Sequence, residues 1–253
     1  MFGIFLILTT KSSVLARKGM NECWESIVRQ LNFDLHGNAV HYVKARQIKE
    51  IANKEPRLMA KIDTKEYLPV IFREYDRFIL PVSRHEYAIP KGVGYHVLEK
   101  PTNRPVVHHT QLPFPDSALR TESESVFLDY ANSCGLLKKF TGEENLILTL
   151  HGRTTTPNFG FYVNSLYLVV NHAQIEIDAC YESPGQIVLF EAKLGIPMSF
   201  SLRQLYYPFR AFYGNKKKLR CIFFCLEPKE KIYSFWEYEF SLMISWILSD
   251  FYI

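Results

Sequence analysis

Apolar and polar residues alternate with a period of two along much of the second half of the chain. In segment 174–180, Ile175 and Ile177 alternate with Glu176 and Asp178, which predicts a strand with one buried and one polar face. Further strands are predicted at 146–150, 159–163, 166–170, 186–193, 219–226 and 231–238, and helices at 121–137 and 201–213. A helix, several antiparallel strands, a helix and a further strand are typical of an α/β sandwich built on a mixed sheet.

The first 100 residues have the pattern of short helices followed by a hairpin. Helices are predicted at 24–31, 45–51 and 63–75, and strands at 77–82 and 86–89. Asp63 would cap the third helix, with Glu66 three residues later, as in a capping box. Three helices and a hairpin are the order of a winged helix-turn-helix, which binds DNA. The same elements occur in many other domains, so both interpretations stay open.

Proline is frequent between Pro90 and Pro115, which predicts a linker or a loop that covers the surface. We therefore divide the chain into an N-terminal α+β module at 1–100, a linker at 101–115 and a second module at 116–253.

Composition indicates a globular chain rather than a disordered or fibrous one. Hydrophobic residues make up 47% and charged residues 22% of 253 positions, and no apolar run reaches the length of a membrane span. The apolar run Phe2–Leu8 has no basic segment before it, so we expect no signal peptide; a start at Met20 stays an alternative. The five scattered cysteines form no disulfide or zinc pattern, and we expect a cytoplasmic protein without a membrane partner.

The charge is divided unevenly along the chain. Residues 1–100 hold 16 Lys and Arg against 11 Asp and Glu, which gives +5, whereas residues 101–253 hold 14 against 15, which gives −1. A basic module beside one that carries acids suits an enzyme acting on a polyanion. Uneven surface charge without a functional meaning is the alternative.

Three charged residues lie at the ends of two predicted strands. Asp178 ends the first strand, and Glu191 and Lys193 end the second after an apolar run at 187–190. A turn at Pro184-Gly185 would bring the two strands side by side. Charges on buried strands cost several kcal/mol unless they are paired or bound to metal. Two converging carboxylates suit Mg²⁺, and waters and phosphate oxygens would fill the remaining positions of its coordination shell. Lys193 would then orient or deprotonate the attacking water, or stabilise developing negative charge.

Asp178, a twelve-residue gap and Glu191-Ala192-Lys193 resemble the PD-(D/E)XK nuclease motif. The resemblance covers about 116–240 and implies a restriction-endonuclease-like mixed sheet flanked by helices. It implies Mg²⁺-dependent phosphodiester hydrolysis, with Mn²⁺ as a substitute. Asp178, Glu191 and the Ala192 carbonyl would be metal ligands and Lys193 the catalytic lysine. Gln204 resembles the glutamine on the helix that follows this motif in several such nucleases, although Pro208 stands where they have tyrosine.

The composite pattern carries the resemblance, because a Glu-x-Lys triplet alone occurs by chance. A second triplet, Glu227-Pro228-Lys229, has no acid-tipped strand before it, and we interpret it as a loop. A structural Glu191–Lys193 pair at a sheet edge is the alternative for the first triplet.

Other charged residues are candidates for supporting roles, although a solvated surface explains each of them too. Glu122 and Glu124 are accessory acids, which the helix dipole also explains. The predicted DNA-binding residues are Arg46, Lys49, Arg57, Lys61, Arg153, Lys216, Lys217 and Lys218. We expect the first module to supply DNA affinity, with Arg46, Lys49 and Arg57 distant from the metal.

The sequence predicts a type II restriction endonuclease that cleaves double-stranded DNA. A homodimer and a cognate DNA methyltransferase would be its partners. Two alternatives are a repair or recombination nuclease, and a non-catalytic winged-helix regulator with a degenerate nuclease domain.

Overall fold

The computed structural model describes residues 8–99, 101, 105–120, 123–240 and 250–251, with side chains from residue 19 to residue 240. The fold is mixed α/β. Its helices are α1 (Leu8–Gln30), α2 (Ala45–Ala52), α3 (Pro56–Ala60), α4 (Val70–Glu74), α5 (Glu124–Ser133), α6 (Leu136–Thr141) and α7 (Arg203–Phe212). Among the described residues, no helix is both long and apolar enough to cross a membrane.

Thirteen strands lie within the described residues. They are β1 (His41–Lys44), β2 (Leu80–Pro81), β3 (Glu86–Ile89), β4 (Tyr95–Val97), β5 (Ile147–Thr155), β6 (Phe159–Val163), β7 (Leu166–Val170), β8 (Gln174–Glu182), β9 (Gln186–Leu194), β10 (Ser199–Ser201), β11 (Lys218–Glu227), β12 (Ile232–Tyr238) and β13 (Asp250–Phe251). The predicted hairpin of β6 and β7 is confirmed, with Asn164 in a left-handed conformation at its turn.

The central sheet has six strands in the order β13-β12-β11-β9-β8-β5. Strands β9 and β11 run parallel, while the other neighbours are antiparallel. Helix α7 lies in the connection between β9 and β11, since parallel neighbours need a crossover. Helices α5 and α6 pack on the other face, where Phe127, Leu137, Phe190 and Phe224 belong to one buried cluster. The predicted mixed sheet flanked by helices is confirmed at this level.

In the N-terminal half, α1, β1, α2 and α3 precede the β2–β3 hairpin, and β1 pairs with β3 to give the order β1-β3-β2. Its apolar side chains are not a separate core. Trp24 and Phe72 share one buried cluster with Leu189 and Phe223 of the central sheet. Strand β4 also pairs with β10, so the two halves are joined by backbone hydrogen bonds.

Several predicted element bounds are wrong. The predicted helix at 63–75 is a 3-10 turn at Lys65–Tyr67 followed by α4, because Pro69 cannot continue a helix and holds the chain extended. Asp63 therefore caps no helix. The helix predicted at 121–137 is divided into α5 and α6 at Gly135, which adopts a φ of 77°; Thr121 lies outside the described residues.

Candidate active site

Strands β8 and β9 bring Asp178 and Glu191 together at the point where the pairing of these two strands ends. The ladder pairs Ala179 with Phe190, so Asp178 and Glu191 are the next residues along. Asp178 Oδ2 accepts a hydrogen bond of 2.7 Å from the Ala192 backbone N–H. The Asp178 side chain therefore accepts a hydrogen bond from a backbone N–H that β8 would otherwise bind through a backbone carbonyl. This hydrogen bond holds the Asp178 carboxylate against β9.

An irregularity in β8 lies at Asp178. Its partner strand β5 pairs Leu150 with Cys180 and Gly152 with Ile177, so three steps on β8 face two on β5. One extra residue in a strand is a β-bulge, which bends the strand and redirects a side chain. The bulge interrupts the regular alternation of β8 at Asp178, the residue whose carboxylate is hydrogen-bonded to β9.

The Lys193 ammonium lies among the acidic groups of the site. Its Nζ is 2.6 Å from Glu191 Oε1, 2.8 Å from the Ala192 carbonyl oxygen and 3.3 Å from Glu124 Oε2. Glu191 is 5% exposed and Ala192 is fully buried. A positive charge thus contacts two of the three groups that the resemblance assigns to a metal ion.

Helices on either face of the sheet supply the remaining polar groups. From α7, the Gln204 Nε2 donates a hydrogen bond to Glu191 Oε1. The other amide atom, Gln204 Oε1, is buried and has no hydrogen-bond partner among the described residues. The first turn of α5 contributes Glu124, which lies beside Lys193. Glu122, the other predicted accessory acid, lies outside the described residues.

Asp178, Glu191 and Glu124, together with Lys193, form a group that we call the acidic cluster, and its electrostatics follow from its burial. Burial raises the pKa of Glu191 to about 8, and the charge of Asp178 acts in the same direction. Burial also raises the pKa of Asp178 and of Glu124. Burial lowers the pKa of Lys193, but the charges of Glu191 and Glu124 outweigh it, so the net shift is upward. The raised pKa values show that one ammonium does not stabilise all three acids in their charged form, and a divalent cation would do so.

The cluster lines a cavity of about 430 Å³ whose opposite wall comes from the N-terminal half. Arg57 and Lys61, at and after α3, line the same cavity as Asp178, Glu191 and Lys193. Arg57 was expected to lie far from the predicted metal site, and it instead lines the same cavity as the residues of that site. The sequence does not indicate this proximity, because Arg57 and β8 lie far apart in the chain and are brought together by the folding of the two halves around one core.

The other predicted basic residues lie in different places. Arg46 and Lys49 are exposed on α2 and are absent from the residues that line the cavity. Arg153 of β5 reaches Glu176 at 3.8 Å. Lys217 forms an ion pair with Glu182, and its Nζ donates a hydrogen bond of 2.7 Å to the Ser183 carbonyl oxygen at the opposite end of β9. Lys216 and Lys218 are exposed on either side of Lys217. The lysine run is therefore remote from the acidic cluster.

Residues outside the predicted site also line the cavity. Asp63 pairs with Arg203 at 3.5 Å, and both border the cavity together with Glu176, Arg84 and His85. The strand pattern places Glu176 on the polar face of β8, which is a usable signal. No local pattern indicates Asp63, because its role depends on contacts between distant segments.

The metal ion that the resemblance implies is Mg²⁺, and its donors would be Asp178, Glu191 and the Ala192 carbonyl. Within the described residues, no three His, Cys, Asp or Glu side chains form a ready-made metal site. Mg²⁺ does not require one, since it binds through one or two carboxylates and keeps several waters. Two carboxylates and a carbonyl fit that ion. The Lys193 Nζ contacts Glu191 and the Ala192 carbonyl, so these oxygens already face a positive charge.

Two family models match the chain. The family described as Domain of unknown function (DUF6997) matches residues 91–246, and the one described as Domain of unknown function (DUF6996) matches residues 21–89. The search of curated proteins gave no match, and neither did the search of solved structures.

Proposed function

This chain belongs to the family described as Domain of unknown function (DUF6997), and we propose that it is a Mg²⁺-dependent endonuclease that cleaves double-stranded DNA. The observation that carries the proposal is the convergence of Asp178, Glu191 and Lys193 just beyond the last paired residues of β8 and β9. Their spacing in the sequence is that of the nuclease motif, and their contacts give each residue a chemical role. The six-stranded mixed sheet, with helices on both faces, supports a restriction-endonuclease-like fold.

In this proposal, Asp178, Glu191 and the Ala192 carbonyl hold the ion. When bound, the ion lowers the pKa of a water and neutralises charge on the phosphate that is attacked. Water adds to phosphorus as the bond from phosphorus to a bridging oxygen breaks, and the proton that the water loses ends on the departing oxygen, which leaves as a hydroxyl group. Lys193 places its positive charge where the phosphate gains negative charge. Gln204 holds the Glu191 carboxylate in place through its hydrogen bond.

The N-terminal half supports DNA as the substrate. The order helix, strand, three short helices and hairpin, with β1 paired to β3, is compatible with a winged helix. Winged helices bind DNA through a helix and the hairpin. Its helix α3 and the turn at Arg84-His85 border the cavity, so DNA held by this half would lie over the acidic cluster. We further propose that the enzyme acts as a sequence-specific restriction endonuclease in the cytoplasm.

The proposal is tested by incubating the purified protein with unmethylated plasmid DNA. We expect discrete fragments with Mg²⁺ or Mn²⁺ and intact plasmid with EDTA, because the ion supplies the activated water. A smear would instead indicate a nuclease without sequence specificity, and cleavage of branched DNA alone would indicate a repair or recombination nuclease. Intact plasmid under every metal condition, with DNA still bound, would identify a non-catalytic regulator.

Replacing Lys193 by alanine should reduce single-turnover cleavage by about 10²–10³-fold, as loss of one transition-state charge contact does. Lys229→Ala is the matched control, since Lys229 ends the other Glu-x-Lys triplet and is exposed beyond β11. It should cleave at the wild-type rate. Equal losses in both variants, or none in Lys193→Ala, would contradict the assigned role.

A further inference from the structure

Three positive side chains from the two halves of the chain surround one carboxylate. The Glu176 carboxylate is 3.0 Å from Arg57 Nη2, 3.8 Å from Lys61 Nζ and 3.8 Å from Arg153 Nε. Arg57 and Lys61 belong to the segment around α3, while Arg153 lies on β5. Lys61 Nζ also lies 3.9 Å from Asp63 Oδ2, so three cations face two carboxylates and the group carries a net charge of +1.

Stability does not account for this convergence. The side chains of Arg57, Lys61, Arg153 and Glu176 are between 42% and 55% exposed, and ion pairs at such exposure contribute about 0–1 kcal/mol each. Three cations brought together also repel one another. A further anion would relieve that repulsion.

The cation group lies beside the acidic cluster. Glu176 and Asp178 are two residues apart on β8, which separates their Cα atoms by about 7 Å, and both line the same cavity as Arg57 and Lys61. The Lys61 charge also acts on Asp178, where it offsets part of the rise in pKa that burial causes. The Cα separation of Glu176 and Asp178 is comparable to the distance between neighbouring phosphates on one DNA strand.

We propose that Arg57, Lys61 and Arg153 bind the DNA phosphate next to the one that is cleaved, and that Glu176 occupies this phosphate subsite in the DNA-free protein. The inference rests on the proposed nuclease function. A carboxylate and a phosphate present similar oxygen pairs to a guanidinium, so Glu176 holds the three cations in the positions that a phosphate would need. DNA binding then requires a phosphate to displace Glu176.

The subsite makes a specific prediction for the salt dependence of binding. Each neutralised phosphate contributes about 0.9 to the slope of log K against log salt. If three cations share one phosphate, the triple variant Arg57→Gln, Lys61→Gln, Arg153→Gln should flatten the slope by about one, not by about three. Glu176→Gln should tighten the Kd by about 3- to 10-fold, because the Glu176 carboxylate no longer competes for the cations.

The measurement is a binding titration of a labelled DNA duplex in EDTA across a salt series. Lys138→Gln and Glu144→Gln are matched controls, because this exposed pair at α6 is absent from the residues that line the cavity. Neither control should change the Kd or the slope. Thermal midpoints of all variants should equal that of the wild type, which separates lost binding from lost folding.

A second arm places the subsite relative to the cleaved bond. A duplex carrying a mapped cleavage site is given a neutral methylphosphonate at the phosphate next to the cleaved one. Wild type should lose affinity for this duplex, and the triple variant should lose nothing further. Wild-type cleavage with unchanged binding in the triple variant and in Glu176→Gln would overturn the subsite but leave the nuclease proposal intact. A wild-type protein that neither binds nor cleaves DNA would overturn both.

Discussion

Exchanging Asp178 for asparagine or Glu191 for glutamine is expected to reduce cleavage by about 10³-fold or more, because each exchange removes a negative ligand that an ion activating water requires. Both changes keep the shape of the side chain, so the buried site keeps its packing. The asparagine side chain retains one carbonyl oxygen for the Ala192 N–H, whose hydrogen bond Asp178 accepts in the wild type. DNA binding in EDTA should stay close to that of wild type.

Single-turnover cleavage of plasmid DNA, beside binding titrations and thermal melting, checks this expectation. Glu227→Gln is the matched control, since Glu227 begins the second Glu-x-Lys triplet at the end of β11. It should cleave normally. A near wild-type rate in either Asp178→Asn or Glu191→Gln would remove the assigned site, and a folded but inactive Glu227→Gln would move the site to the second triplet.

The second large effect concerns folding and comes from a buried arginine. Replacing Arg77 by methionine should lower the free energy of unfolding by about 3–5 kcal/mol. Arg77 is 1% exposed, and its guanidinium donates to the backbone carbonyls of Leu35, Ala39, Ile89, Asp34 and Gly37 at 2.6–3.2 Å. Methionine fills much of the volume but donates no hydrogen bond, so these carbonyls lose their partner.

Urea denaturation gives the free energies to compare. Arg77→Lys should rescue only part of the loss, because a compact ammonium has three donors and lacks the planar fork. Arg73→Met on α4 is the control, since Arg73 is exposed, and it should change stability by no more than about 0.5 kcal/mol. A loss below about 1 kcal/mol in Arg77→Met would mean that water satisfies these carbonyls, and that the loop at 34–39 does not depend on the side chain.

The acidic cluster was predictable because its signals are local. The alternation before Asp178, the turn at Pro184-Gly185 and the apolar run ending in Glu191 all lie within one hairpin, where the turn determines which residues meet. The predicted strands 174–180 and 186–193 agree with β8 and β9 to within two residues. The bulge was not predictable, because it depends on the pairing with β5.

The wall opposite the cluster could not be predicted from local pattern. Arg57 and Glu176 are 119 residues apart in the chain, and nothing in either segment specifies the other. The same holds for β4 and β10, whose pairing depends on two three-residue strands that are too short to produce a recognisable alternation. The wrong helix at 63–75 has a different cause, since its capping residues favour a continuous helix that Pro69 prevents.

The shared core has a consequence for how the protein can be divided. The family match at 21–89 ends where the match at 91–246 begins, yet Trp24 and Phe72 are buried in the same cluster as Leu189 and Phe223. A fragment cut at this boundary would expose to water the apolar surface that it buries against the other half. The boundary therefore separates two sequence families and not two self-standing pieces, and neither half can be exchanged for a foreign one without rebuilding the other.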